Sequence, residues 1–316
     1  MDSTQEQLLA LLRSALWGKH PKTSFFKNVS WEDVIHLADV ETVKGLLLDG
    51  ISLLPKELMP DEDTIMDLAG IAIKNIEGQI TALRYPKPLH RQPGDIDFVV
   101  SKDDFAKTLD VLDTIGKVDR NIVHEHHGIA WVNGVTVEPH YKVHNYQRPS
   151  TDKAMQEMLA EVFPDQLIEV DIDGHKVHAF PPTFESVFLI SHMVNHVYEE
   201  GLGLRQVIDY AMFLDKCADK IDWLQHDEFL YRMRMQRAFR IFTCICAEYL
   251  GLHLPSQVKP FSYQEKQWTR KMIEGIMIVG NFGRGKYVSH HDGWIKALQN
   301  YFWVIGRCYH LGFVCP

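Results

Sequence analysis

The stretch Gly94-Asp95-Ile96-Asp97-Phe98-Val99-Val100 sets two carboxylates one residue apart at the head of an apolar, β-branched run. Side chains alternate along a strand, so Asp95 and Asp97 are expected on one face and Ile96 and Phe98 on the other. Like charges this close repel, and a divalent cation between them is the usual resolution. Mg²⁺ takes carboxylate oxygens and keeps positions open for water or phosphate. Taken alone, an Asp-x-Asp is more often a solvated strand end, so its neighbours must decide.

Downstream, Lys102–Ile115 reads as an amphipathic helix with Phe105, Leu109, Leu112 and Ile115 on one face. Three alternating segments follow, Val118–His124, Gly128–Val132 and Val135–Tyr141, and Asn133-Gly134 is a strong two-residue hairpin signal between the last two. In the last segment Thr136, Glu138 and His140 share a face. An acid in mid-strand is depleted on propensity grounds and therefore informative. If this hairpin lies beside the Asp95/Asp97 strand, Glu138 is a third carboxylate at one metal site, the arrangement used in two-metal phosphoryl or nucleotidyl transfer.

Upstream, a helix running from Asp61 through Ile65, Leu68, Ala72 and Ile76 leads to Glu77-Gly78-Gln79, then to the proline-rich, cationic segment Arg84-Tyr85-Pro86-Lys87-Pro88-Leu89-His90-Arg91-Gln92-Pro93. Cations beside a metal site suit an incoming triphosphate; the plainer alternative is a basic surface loop.

At 316 residues, 46% hydrophobic and 24% charged, the chain can bury one large core or two to three modest ones. A net charge of −9 argues against wholesale capture of nucleic acid or an anionic membrane. No apolar run reaches membrane-spanning length, and the start, Met1-Asp2-Ser3-Thr4-Gln5-Glu6, is unlike a signal peptide. The odd, scattered cysteines at 217, 244, 246, 308 and 315 fit reduced packing residues better than a disulfide framework or zinc site, so a cytoplasmic protein is expected.

The flanks read as helical. Leu8, Leu9, Leu11, Leu12 and Leu16 recur at helical spacing, Ser30 is a candidate N-cap, and a short helix ends near Gly50. After a helix at Ala154–Val162, strands Leu167–Ile172 and Lys176–Phe180, turned by Asp173-Gly174, are expected to complete the sheet. Pro181-Pro182-Thr183 marks a boundary, with Thr183 as N-cap of a helix carrying His192 and His196 on one face. These two with Asp209 invite a competing reading as a metal-dependent hydrolase. The plainer alternative is satisfied interfacial histidines and a simple Arg205–Asp209 helix pair. His124-Glu125-His126-His127 lacks zincin spacing and is expected only to flank the cleft; Arg232, Arg234, Arg237 and Arg240 read as an ion-paired face. The glycine-rich stretch 280–286 lacks the P-loop ending, and the remainder reads as helical, with Trp294 and Tyr301 on its apolar face.

Glu77-Gly78-Gln79, the Tyr-Pro loop with Arg91, Gly94-Asp95-Ile96-Asp97 and Val137-Glu138-Pro139-His140 together resemble the polymerase-β-type nucleotidyltransferase superfamily, and more narrowly its branch of bacterial nucleotidyltransferases of unassigned substrate. The resemblance implies Asp95, Asp97 and Glu138 as catalytic metal ligands for two Mg²⁺ ions, with Mn²⁺ as the alternative. It places Gly78 and Gln79 at the Gly-Ser phosphate cradle, with glutamine in the serine position and a longer, proline-rich spacer to Asp95. It also implies Arg91 and Arg205 as phosphate contacts, Asp209 orienting Arg205, and His140, His192 and His196 as supporting residues. The expectation is therefore an α+β protein. A small mixed sheet core at 63–180 lies between an N-terminal helical region, 1–62, and a C-terminal helical domain, 181–316. It would move an NMP from an NTP, ATP among the candidates, to an unidentified acceptor hydroxyl. The alternative is a catalytically inactive nucleotide- or partner-binding relative.

Overall fold

Helices flank a small sheet on both sides along the described residues. The structure, a computed structural model, describes residues 1–73, 79–92, 94–120, 127–143, 146, 148–198 and 201–281. Gly78, the side chain of Gln79, His124 to His126, the glycine-rich stretch beyond Asn281, Cys308, Cys315 and the helix expected around Trp294 and Tyr301 lie outside these residues.

The N-terminal helices are α1 (Ser3–Trp17), α2 (Trp31–Val40), α3 (Lys44–Ile51) and α4 (Glu62–Ile73). Local chemistry sets their ends. Asp2 and Gln5 form a reciprocal capping box on α1, Gly18 closes it with φ of 65°, and Ser30 caps α2 by accepting from the Asp33 N–H. A four-residue helix, α5 (Gln79–Ala82), precedes the proline-rich loop.

The sheet comprises β1 (Ile96–Val99), β2 (Lys117–Val118), β3 (Ala130–Val132) and β4 (Val135–His140), with α6 (Phe105–Ile115) between β1 and β2. Its order is β1-β4-β3-β2, parallel between β1 and β4 and antiparallel elsewhere. Asn133 and Gly134, both at positive φ (52° and 82°), make the tight β3–β4 turn that Asn-Gly favours. Leu112, Ala130 and Val137 form a small core under α6, with Phe98, Val118, Val132 and Val135 against it. Period-two alternation therefore sends Asp97 and Glu138 to the opposite face.

After α7 (Pro149–Val162), β5 (Ile168–Ile172) and β6 (His175–Ala179) pair only with each other, as a separate two-stranded sheet. This corrects the expectation that they complete the main sheet. Both strands alternate apolar with charged or polar residues, but the apolar face of Ile168, Val170, Ile172, Val177 and Ala179 is narrow and only Ala179 on it is buried, so the pair stands apart from the core of the main sheet. The boundary at 181–183 also differs in detail. Helix α8 (Pro182–Tyr198) begins two residues earlier than an N-cap at Thr183 implies, and Thr183 Oγ1 accepts instead from the Asp222 N–H.

Helices α9 (Leu204–Cys217), α10 (Trp223–Met233), α11 (Gln236–Glu248) and α12 (Tyr263–Val279) complete the described chain. One continuous apolar core runs from Leu11 and Leu47 at the N-terminal end to Phe184, Phe213, Phe242 and Ile273. Among the described residues no helix is long and apolar enough to cross a membrane. Of the basic run on α10 and α11, Arg232 pairs with Glu161, Arg240 with Glu265, and Arg237 lies over the Trp268 ring.

Candidate functional site

Register brings the carboxylates together. In the parallel pair Asp97 lies beside Glu138 and Val99 beside His140. One oxygen each from Asp95, Asp97 and Glu138 falls within 4.8 Å of the others. An all-oxygen set, open to solvent at Asp95 and Asp97, suits a hard divalent cation, so the residues present fit Mg²⁺ or Mn²⁺.

Imidazoles line the same face. His140 Nε2 donates to Asp97 Oδ1 at 2.8 Å and lies 3.9 Å from Glu138 Oε2; His127 Nε2 lies 3.6 Å from that same oxygen. His127 faces His140 across a β-bridge, and their rings stack with centroids 5.0 Å apart. Burial pushes the Asp97 carboxyl up, but the His140 hydrogen bond and the neighbouring His140, His192 and His127 rings outweigh it and hold the group below its ordinary value. His192 on α8 is buried deeply enough to sit below the usual histidine value, although Asp97 and Asp95 pull it back. His196 Nε2 is 3.0 Å from His192 Nε2. Among the described residues, His192, His196 and Asp209 do not come together as a metal-ligating group.

The cations of the proline-rich loop meet protein carboxylates. Arg84 makes two hydrogen bonds to Glu185, Lys87 and His90 meet Asp49 of α3, and Arg91 engages Asp209 of α9 through Nε (2.8 Å) and Nη2 (2.9 Å). Tyr85 donates to the same Asp209 at 2.6 Å. Burial raises the Asp209 carboxyl, yet Arg91, Arg205 and the Tyr85 hydroxyl together hold it low. Asp209 is therefore hydrogen-bonded to Arg91 and Tyr85, and it acts on Arg205 one turn before it through charge alone. The helical i,i+4 spacing made Arg205 look the natural partner, but the loop supplies a planar guanidinium with better two-point geometry.

Arg205 is the exception. It is 8% exposed, and its Nη1 donates to the Gln92 carbonyl at 3.3 Å while its buried Nε has no partner. Burial lowers its ordinary value, Asp209 raises it in part, and the neighbouring Arg91 charge lowers it further. Among the described residues no carboxylate sits within ion-pairing distance of it. Its guanidinium packs on Gly94, where a Cβ would stand 2.7 Å from Nη1. The glycine before Asp95 is thus a close-approach position. It lets the α9 arginine lie against the chain that presents the carboxylates.

Sequence reasoning placed His127 at the flank of the cleft but missed its pairing with His140, and it missed the close approach at Gly94 and the buried Glu41, whose Oε2 accepts from the Leu204 N–H at the start of α9 at 2.8 Å. A signal existed for the first. The two-residue turn pairs Val132 with Val135 and Ala130 with Val137, and the same register run outward sets His127 opposite His140.

No curated protein and no solved structure matches the chain. A family described as uncharacterised nucleotidyltransferase matches residues 70–251, from within α4 to just past α11, a span that holds β1, β4 and the Arg205 helix. With more than half of its length matched, the chain belongs to this uncharacterised nucleotidyltransferase family.

Proposed function

We propose that this transferase moves a nucleoside monophosphate from an NTP to an acceptor hydroxyl at the β1–β4 site, with Asp95, Asp97 and Glu138 holding two divalent ions, Mg²⁺ in the first instance. The observation that carries the reading is the convergence of these three carboxylates, from two parallel strands in register, within 4.8 Å. The acceptor oxygen attacks the α-phosphorus, the bond to the bridging oxygen breaks, pyrophosphate leaves and the hydroxyl proton is lost. When bound, the ions supply Lewis-acid stabilisation of the phosphate charge and acidify the acceptor hydroxyl.

The chain's own groups divide the remaining work. Asp97, held low by its imidazole neighbours, stays ionised and would hold the divalent ions, and His140 fixes its Oδ1. Glu138 takes the acceptor side. Arg205 is the cation for the phosphates, because Arg84, Lys87 and Arg91 already face protein carboxylates and, among the described residues, it does not. Arg91 and Asp209 together act as a positioning pair that ties the loop before Asp95 to α9. On this reading the 63–180 core presents the carboxylates and residues 181–316 present the phosphate-side arginine.

The test is transfer of label from α-³²P-NTPs, each of the four in turn, into cell extract with Mg²⁺, with Asp97→Asn as control. Label that depends on Asp97 supports the reading. No label with any NTP, or equal label with the variant, refutes it and favours a relative that binds nucleotide without transferring it.

A further inference from the structure

A second set of donors shares Glu138 but differs in kind. One ligand atom each from His127, Glu138 and His140 lies within 4.8 Å of the others. The two imidazole approaches to Glu138 Oε2, 3.6 and 3.9 Å, are longer than hydrogen bonds. They are close to the spacing that ligands take around a tetrahedral ion, since donors about 2.0–2.1 Å from zinc stand about 3.4 Å from one another. The set is also well fixed. Glu138 and His140 share one face of β4, His127 is bridged to His140 across the sheet, and the three side chains are 18%, 9% and 12% exposed. Donors carried on paired strands lose little freedom on closing around an ion. Two imidazoles and one carboxylate are a poor match for Mg²⁺, which wants oxygen, and a good one for a borderline transition-metal ion.

We propose that His127, Glu138 and His140 form a second cation site of transition-metal character, with Zn²⁺ the ion its donor set suits best, beside the all-oxygen Asp95/Asp97/Glu138 set. Ligation through His140 Nε2 moves that ring's proton to Nδ1 and ends its donation to Asp97, so the ion and the hydrogen bond exclude each other. Three protein donors leave a further coordination position for water or a substrate oxygen. Such a site stands whether or not the chain transfers nucleotides.

The experiment uses the full chain, stripped by chelation and titrated with Co²⁺ as the coloured stand-in for Zn²⁺, in excess Mg²⁺. The expected result is one equivalent of Co²⁺ with the strong visible absorption of a low-coordinate nitrogen-bearing site, displaced by Zn²⁺ and indifferent to Mg²⁺. His127→Ala should weaken Co²⁺ binding by more than about tenfold, while Asp95→Asn, outside the nitrogen set, keeps the absorption. Absence of Co²⁺ binding, displacement by Mg²⁺, or an unchanged spectrum in His127→Ala overturns the proposal. Should that variant fail to fold, Cu²⁺ on the wild-type chain decides. Hyperfine coupling to imidazole nitrogens in the electron paramagnetic resonance spectrum supports the site, and an all-oxygen spectrum overturns it. Label transfer in Mg²⁺ on the same preparation reports separately on the reaction proposed above.

Discussion

Glu41 offers the sharpest quantitative test of how the site's scaffold is held. Its side chain is 0% exposed, one oxygen accepts from the Leu204 N–H, and the other is buried without a partner. Burial pushes the carboxyl from its ordinary 4.5 up to about 8, with the Leu204 hydrogen bond pulling the other way. Each pH unit between those values is worth about 1.4 kcal/mol, so about 3 kcal/mol of stability is at stake between about pH 5 and about pH 8. The sign follows from proton counts. The folded chain holds this proton where the unfolded chain has released it, so stability is full below about 4.5 and is lost as pH rises through about 8. Glu41→Gln keeps an acceptor for Leu204 and removes the ionisation. Against the parent at each pH, urea unfolding followed by tryptophan fluorescence should find the variant within about 1 kcal/mol at pH ~5 and more stable by about 3 kcal/mol at pH ~8. A variant destabilised by the same amount at both pH values would falsify the argument, because Glu41 would then act through shape and not through its charge.

Other expectations concern the groups around the carboxylates. Asp209→Ala strands Arg91 and the Tyr85 hydroxyl in the interior, and should cost about 3–5 kcal/mol in chemical denaturation; a loss below about 1 kcal/mol would mean that solvent reaches the pair. Because Asp209 is held low, its contribution is present above the ordinary carboxylate value and disappears as pH falls through the lowered one. Arg205→Lys should raise the KM for NTP by about tenfold with the folded state intact, through loss of the planar fork; an unchanged KM with every NTP would remove Arg205 from the phosphate side. Gly94→Ala should act in the same direction, since its methyl group meets the Arg205 guanidinium at 2.7 Å. Equal KM values for Gly94→Ala and the parent would show that the guanidinium simply moves aside.

What could be read from the residues divides by range. Asp95, Asp97, Glu138 and the turn between them lie in elements whose period and turn chemistry are local, so the strands, their faces and the hairpin are legible. The separate β5–β6 sheet was not, because alternation says that a strand exists and nothing about which edge it joins. The loop cations were legible as cations but not as partners. Asp49, Glu185 and Asp209 lie 38, 101 and 118 residues from Lys87, Arg84 and Arg91, and no local pattern announces a pairing at that range. His127 lay between the two cases. Its motif spacing was uninformative, while the register imposed by Asn133-Gly134 pointed to His140.

The pairing of the loop's cations with protein carboxylates changes how a triphosphate would have to be received. A run with Arg84, Lys87, His90 and Arg91 looks like a phosphate cradle, yet Glu185, Asp49 and Asp209 face its cations. Three carboxylates would therefore confront the incoming phosphates, with Arg205 as a nearby cation that no carboxylate among the described residues pairs. At separations of a few ångströms like charges repel by several kcal/mol at an intermediate effective dielectric of about 20, more than one buried guanidinium offsets. The carboxylates thus oppose metal-free NTP and favour it together with divalent ions. On this argument the loop's role is rigidity. Its ion pairs to α3, α8 and α9 hold the chain entering β1, and with it Gly94 and Asp95, in place against Arg205.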